Sequence, residues 1–314
     1  MLNAKYERLI CLDGKEDFGY LEYEKGFRKK ATVFEGKMNK KKELSHKITQ
    51  IVGELPLFPY KIDKLLATAV KPSEDETEIL QMIESHPELT EELLQVARSY
   101  YGTAEEIETI EDAVRHIGIQ PLVQLIGVSY ARSAIEEEFA ALKYLNEYLD
   151  HSEHISIGCR VLAEVSDMSR EQREIYTVAG LIHDIGRLAI LVATNKTNAH
   201  VLGTLWDKMT SVVNDEKAKL GTDHCDVGMR ICRKWNFSPI IQEGILRHHT
   251  PLIDSDFSFP GGLIFISHFL SASDPSGEII STLLPAEILG KLNLTEAYFN
   301  KARTIYKSRT ADNI

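Results

Sequence analysis

Two hydrophobic periods divide the chain. Over the first 36 residues, short stretches rich in β-forming residues (YERLICL, YLEYE, ATVF) are punctuated by Gly14, Gly19, Gly26 and Gly36. The alternation from Tyr20 to Glu24 and the Asp13-Gly14 turn signal predict a small meander of two or three strands. Such a meander is marginal alone and is expected to pack against the rest of the chain or a second copy. From about Ser45 the period becomes helical. The segment TEILQMIESHPELTEELLQVARSYYG splits into two amphipathic runs at Pro87, which suits the first turn of a helix, and Gly102 is expected to end the second run. Ile110 to Ile117 predicts a short helix closed by Gly118, and Pro121 to Ala134 is strongly apolar. Ser238-Pro239 reads as an N-cap followed by proline at the first helical position. Asn293-Leu294-Thr295 opens a last helix expected to end near Lys307. The expectation is an all-α body of about a dozen helices over 45–314, behind a β-rich extension and basic linker over 1–44.

Composition narrows this picture. With 314 residues, 43% hydrophobic and 26% charged, the chain has the make-up of an ordinary globular protein with one large core. No uncharged apolar stretch of about 18 residues stands out, so no membrane span is expected. Charges interrupt MLNAKYERLICLDG too early for a secretory leader. Cys11, Cys159, Cys225 and Cys232 show no paired spacing, which suits a reducing cytoplasm. The net charge of −11 argues against the broad basic surface of a nucleic-acid binder. Residues 1–47 nevertheless hold 12 basic and 8 acidic side chains, a net of +4 that leaves −15 for 48–314. The lysines 37, 40, 41, 42 and 47 in that excess could meet RNA, an anionic partner or a membrane surface. A solvated linker is the commoner fate of a charge run.

Histidine brings the first chemistry. Eight of the 11 histidines lie between His151 and His268. Glu147 and His151 are one helical turn apart and share a face. His183-Asp184 follows the apolar run from Val178 to Ile182 and precedes Ile185-Gly186-Arg187. His224 sits in GTDHCDVG, His248 and His249 are adjacent, and His268 lies within LIFISHFL. Imidazole with carboxylate suits Mn, Fe, Zn or similar divalent ions. A carboxylate beside a histidine can bridge two ions, which then clamp the oxygens of a phosphoester. Each residue also has a plainer role. His183-Asp184 could close a helix, although its apolar flanks make an unpaired Asp184 costly to bury. His248-His249 could suit the negative end of a helix dipole. His224 could be a partly exposed polar residue, His268 a core histidine, and His154 a packing residue.

In this order His151, His183-Asp184, His224 and His248-His249 resemble the HD superfamily of metal-dependent phosphohydrolases. The resemblance is nearest to its HDOD branch and covers roughly residues 48–255. It rests on ELPLFPYKIDKLL, IESHPELTEELLQVARSYYG, IETIEDAVRHIG, His151-Ser152, GLIHDIGRL, GTDHCDVG followed by Trp235, and ILRHHTP. It implies an all-α HD-superfamily helical bundle, with further C-terminal helices over 256–314, acting as an output or regulatory module in bacterial signalling. By similarity, His151, His183, Asp184, His224, His248 and His249 take metal-ligand positions, and Glu147 matches a glutamate found in some HD-GYP members. Three departures matter. The last aspartate of HD hydrolases is replaced by Ser267-His268, so His268 joins the candidate ligands with one negative charge fewer. The usual lysine after HDIG is Arg187, which can still grip a phosphate. Thr250-Pro251-Leu252 stands where the GYP signature of cyclic-di-GMP hydrolases would follow.

Two functions compete on these grounds. The first is a non-catalytic signalling module with structural metal, whose body meets a signalling protein or nucleotide ligand and could pair as a homodimer. The second is a metal-dependent phosphohydrolase of a nucleotide or other phosphoester, with Asp184 bridging one or two ions and Arg187 stabilising developing charge. A purely structural or nucleic-acid-binding role has the lysine-rich segment as its single support.

Overall fold

A computed structural model describes residues 38–69, 76–101, 107–140, 142, 145–194, 211–271 and 284–311. The expected strand meander falls outside these residues. The chain divides into two units, 1–43 and 44–314. Helical backbone is already present at residue 38 and continues to 54 as α1, so part of the lysine-rich segment is helix rather than linker. Lysine favours helix but carries no apolar stripe, and the stripe begins where Leu44, Ile48 and Val52 meet the core.

Six helices build the N-terminal half of the larger unit. They are α1, α2 (Tyr60–Ala69), α3 (Glu76–Glu84), α4 (Pro87–Tyr101), α5 (Ile110–Ile117) and α6 (Ile119–Glu138). The punctuation of the sequence sets their ends. Pro87 starts α4. Thr109 and Asp112 form a reciprocal capping box before α5, and Gly118 turns the chain into α6 at φ 91, a backbone conformation that favours glycine. Leu55 and Phe58 of the ELPLFP segment are core residues. Phe58 stacks on Trp235 at 4.9 Å, and the Trp235 indole donates to the carbonyl of Pro56.

The second half holds the long helices α7 (Leu145–Val165), α8 (Arg170–Ile182) and α9 (Ile185–Thr194), then α10 (Ser211–Leu220), α11 (His224–Lys234) and α12 (Pro239–Arg247). A two-residue hairpin, β1 (Leu252–Ile253) paired antiparallel with β2 (Asp256–Phe257), precedes α13 (Phe259–Ser271). The chain then runs through α14 (Ala286–Lys291) and α15 (Glu296–Ala311). The body is all-α, as expected. The hairpin carries no sequence signal strong enough to have foretold it. Arg247 clamps it, binding the carbonyl of Thr250 and both the carboxylate and carbonyl of Asp256.

The continuous segment Arg170–Thr194 has the length and apolarity of a membrane span, but 89% of its apolar window is buried within the body. It is the central element of the fold, flanked by α7 and α13. α13 is buried from Pro260 to Leu270. Close approach among these helices depends on small residues. A Cβ at Gly180 would come within 2.8 Å of the Ser156 backbone, and one at Gly186 would collide with the backbone of His224. Without those glycines α8 could not lie on α7, nor α9 on α11, at this distance.

Candidate metal centre

Five elements converge on one buried point. α7 supplies His151. The break between α8 and α9 supplies His183, which is the C-terminal cap of α8, and Asp184. α11 begins at His224, and the Asp223 side chain caps it by accepting from the amide of Asp226. α12 ends in His248, with His249 next. α13 brings His268. Two groups of ligand-type atoms form, each within 4.8 Å of one another: Asp184, His224, His248 and His249, and beside them His151, His183 and His268.

Asp184 joins the two groups. Its Oδ1 lies 3.3 Å from Nε2 of both His224 and His248. Its Oδ2 faces the other way, 3.5 Å from His183 Nε2 and 3.7 Å from His151 Nε2. The Arg187 Nε lies 2.7 Å from the same Oδ2, and the other end of the guanidinium reaches Nε2 of His249 at 3.3 Å. His154 stands apart and bonds Tyr306 Oη on α15 at 3.0 Å. Glu147 is exposed on α7 and belongs to neither group.

The rings are oriented by what their far nitrogens touch. Nδ1 of His183 meets the carbonyl of Gly180 at 2.9 Å, that of His248 the carbonyl of Ile245 at 2.7 Å, and that of His268 the carbonyl of Ile264 at 2.8 Å. His183 and His248 cap helix ends, where the last carbonyls lack partners within the helix. For His224 the partner is Glu216 of α10, whose Oε2 accepts from both Nδ1 (2.7 Å) and the backbone amide (2.9 Å). A carbonyl can only accept, so each of these rings carries its proton on Nδ1 and turns the Nε2 lone pair toward the centre. Metal-bound histidines are commonly held in this way, with the far nitrogen donating to a carbonyl or carboxylate.

Burial sets the charges. His183, His224 and His248 are fully buried and Asp184 is 2% exposed. Burial alone would push the Asp184 carboxyl up, but the Arg187 guanidinium and His183 hold it well below the carboxylate range. Burial, with neighbouring imidazoles, lowers His151 to about 3. It lowers His248 to about 4 even against the raising pull of Asp184. His249 and His268 are held well below their ordinary value by the same desolvation. His151, His248, His249 and His268 are therefore held neutral and Asp184 charged, the protonation a cation requires of its ligands.

The residues present fit a divalent metal ion. His183 Nε2, Asp184 Oδ1 and His249 Nδ1 are buried without a hydrogen-bond partner, which a folded protein avoids unless something else satisfies them. Oxygen and imidazole nitrogen suit Fe, Mn or Zn. The sequence spacing anticipates the histidines and Asp184. It misses Glu216, eight residues before His224 on another helix.

Known proteins agree with this architecture. A family profile for the HDOD domain matches residues 55–251, more than half of the chain. No curated protein matches. Among solved structures, a candidate phosphohydrolase from Shewanella amazonensis is 23% identical with a TM-score of 0.59, over 82% of this chain and 94% of that one. A candidate signal transduction protein from Marinobacter aquaeolei is 15% identical with a TM-score of 0.57, over 87% of this chain and 64% of that one. An HDOD domain protein of unknown function from Geobacter sulfurreducens is 19% identical with a TM-score of 0.50, over 86% of this chain and 98% of that one. At these identities the likeness concerns the fold.

Proposed function

The chain belongs to the HDOD family, and on that premise we propose that it is a cytoplasmic regulatory module of bacterial signal transduction, stapled by buried divalent metal and without turnover of its own. One observation carries this reading: the centre is closed. Of the seven ligand-type side chains, His151 alone keeps appreciable exposure, at 24%, while the other six are buried. Burial of this kind leaves little approach for a substrate, and a catalytic metal needs a coordination position that substrate or water can reach. His268 adds no charge where a hydrolase would have a carboxylate, which further favours holding metal over driving chemistry. The signal transduction designation of the Marinobacter relative supports the same role. The body would then present its surface to a signalling protein, a nucleotide ligand or a second copy of itself.

The exposed edge of His151 favours a second reading, a metal-dependent phosphohydrolase. His151, His183, His268, Asp184, His224, His248 and His249 would hold the ions. When bound, they would supply Lewis acidity toward a phosphoester. Asp184 would fix the ligands in register, and Arg187, buried beside it, would lend positive charge to the developing transition state. The phosphohydrolase designation of the Shewanella relative is in keeping with this reading.

The two readings part in one experiment. Protein loaded with Mn, Fe or Zn is melted, then assayed on bis-p-nitrophenyl phosphate and on cyclic dinucleotides. The proposal expects loading to raise Tm by about 5 °C or more, with no turnover. Turnover that disappears in Asp184→Ala while the fold persists would overturn it in favour of the hydrolase.

A further inference from the structure

Charge within the centre is unbalanced for two ions. Among the described residues, the two groups of ligand-type atoms bring together six histidines and one carboxylate. That carboxylate already has a cation: Arg187 Nε lies 2.7 Å from Asp184 Oδ2. The guanidinium is itself buried, at 6% exposure. Its second contact is as telling. A guanidinium only donates, so the Nε2 of His249 at 3.3 Å accepts from it. Arg187 thus engages Asp184 Oδ2, an atom that a metal would otherwise use, and at the same time holds the His249 ring through its Nε2. It leaves Asp184 Oδ1 without a hydrogen-bond partner, facing His224 and His248 at 3.3 Å each.

We propose that Arg187 is a positioning residue that stands in for the second cation of this centre, so that one divalent ion binds tightly at Asp184 Oδ1, His224 and His248, and another binds weakly at His151, His183 and His268. The inference rests on the metal-holding reading above. The first position has a carboxylate oxygen facing it and Glu216 behind His224. The second is built from three imidazoles, and the Asp184 oxygen that faces it is already paired with Arg187. A second divalent ion would enter a buried space already holding the first ion and a guanidinium. At an effective dielectric constant near 20, repulsion between charges a few ångströms apart separates the two affinities by roughly a hundredfold or more. The replacement of the family's aspartate by His268 is part of the same design, because it removes the negative charge that would have drawn the second ion in.

The test is a stepwise titration of metal-free protein with Mn2+, read by calorimetry and checked by bound-metal analysis, on the wild type, Arg187→Met and His268→Asp. Wild type is expected to show one tight and one weak step, at least about a hundredfold apart. Arg187→Met removes the competing cation and is expected to bring the steps within about tenfold of each other, chiefly by tightening the second. His268→Asp adds a carboxylate to the weak half with Arg187 in place, and the same narrowing is expected there. This variant keeps the inference testable should Arg187→Met fail to fold. Two equal steps in the wild type, or a separation unchanged in whichever variants fold, would overturn the role of Arg187 and leave the metal-holding module standing. Wild type that binds no Mn2+ would overturn both.

Discussion

Asp184 shows how one side chain can define a centre, because its two oxygens face two different sets of histidines. Its surroundings were only partly legible in the sequence. His183-Asp184 behind an apolar run signals a polar pair that must find partners, whereas Glu216 gives no signal because its contact with His224 crosses from one helix to the next. Glu216 fixes the His224 ring and raises its basicity, so Glu216→Gln is expected to weaken metal binding by about tenfold to a hundredfold, read by competition with a chelating dye. Unchanged affinity would remove Glu216 from the centre. The histidines also make the metal-free protein sensitive to acid. Their ordinary value is 6.5, and in the fold His151 lies at about 3 and His248 at about 4. Above pH 6.5 these groups are neutral in both states and take nothing from stability. As pH falls from 6.5 toward 4 the unfolded chain gains protons that the folded one refuses, so stability drops, and the loss levels off below the folded values. Chelated protein should therefore melt lower at pH 5 than at pH 7.5, with a shallower decline in His248→Gln. Equal melting temperatures at the two values would contradict the burial argument.

At the scale of helices, the ends were easier to read than the approaches. Pro87, Gly118 and Ser238-Pro239 set boundaries where local chemistry demands them. The onset of α1 at residue 38 and the 252–257 hairpin escaped, since the first lacks an apolar stripe and the second has only two residues per strand. Gly186 illustrates what periodicity cannot convey. It sits two residues after Asp184, and its missing Cβ is what lets α9 lie against the start of α11, which carries His224. Gly186→Ala would force two backbones apart, with an expected loss of about 3 kcal/mol measured by urea unfolding and a matching loss of metal affinity. Wild-type stability in that variant would mean that the helices can separate without cost.

Across the whole molecule, the halves are tied together through residues far from the centre. Lys234, at the end of the helix that begins with His224, binds the carbonyls of Val52, Gly53 and Leu55, while Trp235 packs on Phe58. The helix that begins with His224 is thus joined by direct contacts to the N-terminal helices. The all-α architecture follows from the 3.6-residue period. The convergence of α7, α8, α11, α12 and α13 on one point follows from long-range packing that no local pattern encodes. The central claim is that this convergence holds metal, and bound-metal analysis of protein purified without chelators tests it most directly. The account predicts at least about one equivalent of Fe, Mn or Zn, lost in Asp184→Ala that still folds. Wild-type protein carrying less than about a tenth of an equivalent, and taking up none when these ions are supplied, would contradict it.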